Sequence, residues 1–314
     1  MKIAWVLGSG GLLGSALCRV LRHQETILFS PKTRFLWLGG PVLFGQMRDA
    51  VQAFSAQVNE ADEWEIYWAA GIGTMSSSQD SLAPETQALA EMLGLLASDP
   101  RLMKAYGSFA FASSAGAIYA GSSDDIMTEK TSPLPTTFYA HEKLKQEELI
   151  STFSAAHDRT STRIARLSTI YGPGQAAGKP QGLLTHMARR ILINQPIQIY
   201  VPYDTIRDYI AVDDAASEII RTVRINDKTL RVLTKIVASE HPTTIAEIIS
   251  VFKRITRRAP RVVTSASRLS KLYARRVQFR SIVLPEFGKL PQKSLAVGIA
   301  QLMTAERAAF VLRK

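Results

Sequence analysis

Tyr139-Ala140-His141-Glu142-Lys143 sets a tyrosine and a lysine four residues apart, so that on a helix the two share one face. The pair alone carries little weight, because random placement in a chain of this composition gives roughly 0.4 such pairs. Its position matters more. It follows an apolar run of strand length, Ser108 to Ala112, whose end carries Ser113-Ser114, and Ser114 lies 25 residues before Tyr139. A phenol with an ordinary pKa of about 10 is a poor base, but a nearby ammonium and a cationic nicotinamide ring would stabilise the phenolate. Such a group can take or give the proton of a C–OH or C=O while hydride moves at the same carbon, with Ser114 hydrogen-bonding the oxygen. Taken singly, Tyr139 also reads as a packed helix residue and Ser114 as a helix cap.

The second constellation is Gly8-Ser9-Gly10-Gly11-Leu12-Leu13-Gly14, which follows a strand-like run and opens a helix-period segment. That is the context of a phosphate-binding turn. GxGxxG fails because position 13 is Leu, whereas GxxGxxG is met by Gly8, Gly11 and Gly14. The loop, with Gly10, Leu12 and Leu13, is the expected seat of a dinucleotide pyrophosphate against the positive end of a helix. Dinucleotide folds place Asp or Glu at the end of the second strand to hold the adenosine ribose. Here the stretch is Phe29-Ser30-Pro31-Lys32-Thr33-Arg34. Without a carboxylate and with two cations, Ser30, Lys32 and Arg34 suit a ribose 2′-phosphate, so NADP is favoured over NAD.

The elements that must position these groups alternate through the first two-thirds of the chain, as in a parallel sheet covered by helices. The pattern predicts strands over Ile3–Leu7, Thr26–Phe29, Glu65–Ala70, Ser108–Ala112 and Thr162–Leu167. Helices are predicted over Leu12–Arg22, Gln46–Val58, Ser81–Ala97 and Thr137–Phe153, with Asp99-Pro100 closing the third. Ser30 to Phe44 gives no clear third strand. The expectation is an α/β, Rossmann-type doubly wound sheet with a smaller substrate-binding lid. Residues 1–170, with a return segment near 205–237, form the NAD(P)-binding domain, and 171–204 and 238–314 form the lid.

No run approaches the roughly 20 apolar residues of a membrane span, and the N-terminus runs into the glycine loop without a secretory pattern. One cysteine, Cys18, and five scattered histidines predict no disulfide, no metal and a cytoplasmic protein. Cys18 falls in the apolar pattern of the first helix and reads as core. The net charge is +11, and ten basic residues lie between Lys253 and Arg280 with no acid among them. No nucleic-acid-binding motif accompanies them, so nucleic acid is an unlikely partner. Solvated helix faces account for most such runs, and a share of these cations could face a diphosphate ligand.

The ordered set Gly8 to Gly14, Ala69-Ala70-Gly71, Ser113-Ser114, Tyr139 to Lys143, Arg166 to Gly174 and Arg207 to Asp214 resembles the extended short-chain dehydrogenase/reductase family. This is the NAD-dependent epimerase/dehydratase group typified by UDP-galactose 4-epimerase, and the match runs from Lys2 to about Ala216. The resemblance implies Tyr139 as acid/base, Ser114 as its partner and Lys143 on the nicotinamide ribose, with Ala69, Ala70 and Gly71 beside the cofactor. It further implies Ser113, Thr169 and Arg207 on the substrate side, Arg207 near a sugar-nucleotide pyrophosphate. Family members often carry Asn where Thr169 stands, and 4,6-dehydratases carry Asp-Glu where this chain has Ala115-Gly116. Dehydration is thereby disfavoured. The expectation is a sugar-nucleotide epimerase working through a transient ketone, with an NADP-dependent carbonyl reductase as the alternative and a non-catalytic cofactor-binding regulator behind both. The helices Ser81–Ala97 and Thr137–Phe153 resemble the pair that family members pack into a dimeric four-helix bundle, so a homodimer is expected.

Overall fold

The computed structural model describes residues 1–37, 39–59, 62–176, 182–225, 230–264 and 275–312. Its first half runs β1 (Lys2–Leu7), α1 (Leu12–Arg22), β2 (Ile27–Phe29), α2 (Gly40–Ser55), β3 (Glu63–Trp68), α3 (Gln79–Ala97), α4 (Pro100–Lys104), β4 (Tyr106–Ser114), α5 (Ala115–Ile118), α6 (Phe138–Ala156) and β5 (Thr160–Leu167). The second half continues with β6 (Thr169–Tyr171), α7 (Leu183–Leu192), β7 (Ile197–Ile199), β8 (Ile206–Ala211), α8 (Val212–Val223), β9 (Val232–Val237), β10 (Pro242–Thr244), α9 (Ile245–Thr256), β11 (Val262–Thr264) and α10 (Leu295–Val311).

The main sheet has the order β2-β1-β3-β4-β5-β9, with every pairing parallel. Strands covered on both faces must be apolar on both, and β1 shows how. Ile3, Trp5 and Leu7 join residues of α2, α3 and α6 in one core, while Ala4 and Val6 join α1 and α8 in the other. Cys18 lies in that second core, where burial pushes its thiol up. The order reverses between β1 and β3, and at such a switch point doubly wound sheets open a crevice outside the carboxyl ends of their strands.

Among the described residues one strand of the usual dinucleotide order is missing. That order carries a further strand outside the second, but among the described residues 30–39 form none, and three-residue β2 is the sheet edge. The segment is held instead by Gln46, whose Oε1 accepts the Leu36 N–H at 2.9 Å. α2 begins six residues earlier than its apolar spacing predicts, with Pro41 in its first turn after a left-handed Gly39. α3 ends at Ala97, as its pattern predicts, and Asp99 goes on to cap α4, its carboxylate accepting from the Arg101 and Leu102 amides.

The remaining strands form two small sheets, β10-β8-β6 and β11-β7. With α7, α9 and α10 they enclose a separate core that includes Leu184, Met187, Ile248, Phe252 and Leu302. Residues 206–211 therefore depart from the expected return to the main sheet: β8 pairs with β6 and β10, and only α8 and β9 rejoin the Rossmann layer. No helix among the described residues is long and apolar enough to cross a membrane.

Candidate active site

A cavity of about 1890 Å³ follows the carboxyl ends of the parallel strands. It is larger than the roughly 300–1,000 Å³ of an ordinary small-molecule pocket. Its rim takes Gly8 to Leu13 after β1, Ser30, Pro31, Lys32 and Arg34 after β2, Ala69 to Gly73 after β3, Ser113 and Ser114 at the end of β4, and Ser168 and Thr169 after β5. The topology thus brings all the expected cofactor-loop residues except Gly14 onto one surface. Gly14 sits beneath it.

Two glycines explain the tight turn. Gly8 has φ +81°, and a Cβ there would come within 2.7 Å of the Ala69–Ala70 backbone. A Cβ on Gly14 would stand 2.1 Å from the Gly8 carbonyl oxygen, so only glycine lets α1 approach the loop this closely. Gly11 is the N-cap of α1, with no side-chain capping bond. The first-turn amides of α1 are therefore left for another acceptor, beside the stretch of cavity lined by Leu12 and Leu13.

Tyr139 and Lys143 stand one turn apart on α6, whose N-cap Thr137 accepts the Ala140 N–H. The Ser114 hydroxyl lies close enough to Tyr139 to favour its phenolate. Ser114 occupies the N-cap position of α5 yet makes no capping bond with its side chain, so the helix does not use the hydroxyl. Burial pushes the phenol up to about 12, with Glu85 adding to the rise and the Ser114 hydroxyl opposing it. Lys143 is buried, and desolvation brings its ammonium down to about 8 against the pull of Glu85 and Glu147. Its Nζ donates to Gln146 Oε1 at 3.1 Å and to the Ala112 carbonyl at 3.4 Å, and lies 4.7 Å from the centre of the Phe111 ring.

Ser113 is placed otherwise than expected. Its hydroxyl, buried at the cavity edge, donates to Glu147 Oε1 at 2.6 Å. Glu147 in turn holds Arg166 at 2.6 Å, and Arg166 donates to the Tyr119 hydroxyl. The donor of Ser113 is therefore spent in a buried network beneath α6, and the hydroxyl that meets Tyr139 is that of Ser114.

Across the cavity stand Thr169, at the start of β6, and Arg207, on β8. Arg207 Nη1 donates to the Ile206 carbonyl at 2.7 Å. Two carboxylates nearby in the sequence bond to other groups: Asp208 accepts from Ser239, and Asp213 pairs with Arg19 and Lys293. Sequence reading missed His186 and Arg190, four apart on α7 and both lining this side. Their i,i+4 spacing was the available signal. Burial, with Arg190 and Arg189 nearby, holds His186 below the ordinary histidine range. Reading also missed Glu85, Trp37 and Trp68, which line the cavity but belong to no motif.

None of the described cations between 253 and 280 lines the cavity. α9 turns Ile248, Val251 and Phe252 inward, leaving its basic residues outside; Arg275 pairs with Asp204 and Arg276 with Asp125. Arg268 and Lys271 lie outside the described residues.

A family model described as the NAD dependent epimerase/dehydratase family matches residues 4–231. The chain is 32% identical over 96 residues to a dTDP-L-rhamnose 4-epimerase of Burkholderia thailandensis, a match covering 30% of this chain and 26% of that protein. It is 30% identical over 114 residues to Protein CapI of Staphylococcus aureus, covering 36% and 33% respectively. The matches thus span about a quarter to a third of the length of these curated relatives. Among solved structures, a UDP-glucose 4-epimerase of Thermotoga maritima with UDP-glucose superposes with TM-score 0.80 at 19% identity, covering 99% of this chain and 100% of that one. RMD from Pseudomonas aeruginosa complexed with NADPH gives 0.80 at 19%, over 98% and 100%. MoeE5 in complex with UDP-glucose and NAD gives 0.79 at 19%, over 99% and 100%. At these identities the likeness is one of fold.

Proposed function

Because this chain belongs to the NAD dependent epimerase/dehydratase family, we propose that it is a nicotinamide-dependent oxidoreductase that epimerises a sugar nucleotide through a transient ketone. The observation that carries the reading is the meeting of Ser114, Tyr139 and Lys143 in the same cavity as the glycine loop and Arg207. The loop fits a dinucleotide. A Cβ on Gly10 would meet nothing within 4 Å, so the space beside the uncapped α1 is open to a pyrophosphate. Ala69, Ala70 and Gly71 border the same groove, and the exposed Lys32 and Arg34 after β2 favour NADP over NAD.

In this reading Tyr139 takes the proton of a sugar hydroxyl and later returns it, Ser114 holds the same oxygen, and Lys143 stabilises the phenolate. When bound, the cofactor supplies hydride acceptance and return. Thr169 and Arg207 hold the nucleotide diphosphate, for which a guanidinium offers a planar fork of donors. Ala115 and Gly116, next to Ser114, offer no acid or base for eliminating water, which argues against a 4,6-dehydratase. The main sheet and its helices, with α8 and β9 returning to it, serve the cofactor, and 171–204 with 238–314, joined by Thr169 and by Arg207 on β8, serve the substrate. The exposed outer face of α3, with Ala83, Gln87, Ala90 and Gly94, suits the pairing of two copies as a homodimer.

The cations at 32 and 34 favour a second reading, an NADP-dependent reductase that releases its oxidised cofactor in each cycle. A panel of UDP-, GDP- and dTDP-sugars, with products identified by mass spectrometry and NMR, separates the two. An epimerase gives a stereoisomer without net cofactor consumption, and a reductase consumes cofactor in proportion to product. Turnover of no sugar nucleotide by a chain that binds NADP(H) would set aside the substrate class.

A further inference from the structure

Glu85 lines the same cavity as Tyr139 and Lys143, and the proton chemistry assigned above does not use it. It stands on α3, directly after Pro84. Its Oε1 accepts two backbone bonds, from the Ile72 amide at 2.7 Å and the Gly73 amide at 2.6 Å. No group among the described residues hydrogen-bonds its Oε2, which lies 3.1 Å from where a Cβ on Gly71 would stand. A Cβ on Gly73 would come 3.2 Å from the Tyr139 ring, so the carboxylate, the loop after β3 and the phenol are packed into one another. The charge of Glu85 acts on both Tyr139 and Lys143.

Its surroundings set it apart from the other carboxylate that acts on Lys143. Glu147 is neutralised by Arg166, whereas no Lys, Arg or His among the described residues forms an ion pair with Glu85. Of the groups near this end, Ser114 and Ala112 from β4 are neutral, Glu142 is bonded to Thr86, and Gln146 bonds both Thr86 and Lys143. Lys143 is the cation opposite. A carboxylate held by two amides cannot swing away when a ligand enters, so its field there is fixed.

We propose that Glu85 is a positioning residue for charge, favouring the cationic, oxidised nicotinamide ring over the neutral, reduced one. The inference rests on the reading that a nicotinamide cofactor occupies this cavity with its ring at Tyr139. It deepens that reading, because a chain that holds its cofactor oxidised is ready to begin by taking hydride from a hydroxyl. The sign follows from Coulomb's law: a negative charge lowers the energy of the oxidised ring and leaves the neutral reduced ring almost unaffected.

Calorimetric titration of the full chain with NADP+ and NADPH, and with NAD+ and NADH, tests this without a substrate. Glu85→Gln keeps an acceptor for the two amides and removes the charge. The ratio of the oxidised to the reduced Kd should rise about fivefold or more, as expected for one charge acting across several ångströms of partly screened medium. Glu85→Asp should stay close to the parent ratio, and Glu85→Asn measured against Glu85→Asp repeats the charge comparison on a shorter side chain if Glu85→Gln does not fold. Equal weakening of both redox forms in Gln and Asn variants would leave Glu85 a loop anchor only and overturn the proposal. A parent chain that binds neither form of either cofactor would overturn the site reading itself, and the inference with it.

Discussion

At the Tyr139 end of the cavity most polar groups are buried and engaged, whereas at the Lys32 end they stand in solvent. Lys143, Gln146, Glu147, Ser113 and Arg166 are all buried and joined by hydrogen bonds or an ion pair. Ser30, Lys32 and Arg34 are exposed, on a strandless segment at the edge of the sheet. The contrast is one of cost. A buried polar group left unpaired costs about 1–3 kcal/mol, and a charged one more, so the first region admits few alternatives. An exposed cation constrains the fold little, which leaves the second region free to choose among ligands.

Replacement of Tyr139 probes the first region most sharply. Tyr139→Phe removes one hydroxyl and should cost about 10²- to 10⁴-fold in turnover, with cofactor affinity and melting temperature nearly unchanged. Ser114→Ala should cost less. Near-normal turnover by the Phe variant would break the comparison at its functional end.

Beneath α6, Glu147→Gln strands the buried guanidinium of Arg166 and should cost about 3–5 kcal/mol in urea unfolding. Lys32→Ala or Arg34→Ala should shift the same midpoint little. Equal effects at the two ends would contradict the contrast drawn here.

Lys143 sharpens it by pH. The native ammonium, brought down to about 8, holds its proton less tightly than an unfolded lysine near 10.5. Between those values the unfolded chain binds the extra proton, so this residue makes the cofactor-free chain more stable as pH rises. Above the phenol's ordinary value of 10, Tyr139 acts in the opposite sense, because its native phenol, held up to about 12, keeps a proton that the unfolded chain loses. Unfolding midpoints of the parent and Lys143→Met, measured at neutral pH and near the alkaline end of the lysine window, should converge as pH rises; a constant gap would contradict the burial argument.

Arg207→Ala should weaken UDP by about tenfold, since a charge-assisted bond contributes about 1.5–3 kcal/mol and 1.4 kcal/mol is one decade. NADPH affinity should not change. The smallest effect is expected at the exposed end, where Arg34→Ala should narrow the preference for NADPH over NADH by about fivefold, within the range for a charge contact in solvent. Equal affinities for NADPH and NADH in the parent would remove the argument from the missing carboxylate.

The same contrast explains what could be read in advance. α1 was legible residue for residue, because the glycine loop fixes its start and a run of apolar positions fixes its face. The Ser114, Tyr139 and Lys143 set was legible because strand end and helix stand in a fixed order along the chain. The direction of the Ser113 hydroxyl was not, since it depends on Glu147, 34 residues away. Glu85 was invisible for a related reason: only the fold brings its carboxylate to the amides of the loop after β3. At the sheet edge, the sequence between Ser30 and Gly39 carries neither strand alternation nor helix period, and its aromatic packing, Phe35 on Trp37 and Trp37 on Trp68, follows from tertiary contact.

The central claim is that hydride leaves a carbinol carbon and returns to it within one cavity. The direct measurement uses a sugar nucleotide that the chain turns over, deuterated at the reacting carbon, with unlabelled cofactor and NMR of the product. Epimerisation through a transient ketone predicts that the deuterium stays on the inverted carbon, with no label in the free cofactor pool. Loss of the deuterium from the product, either to solvent or to released NADPH, would contradict it.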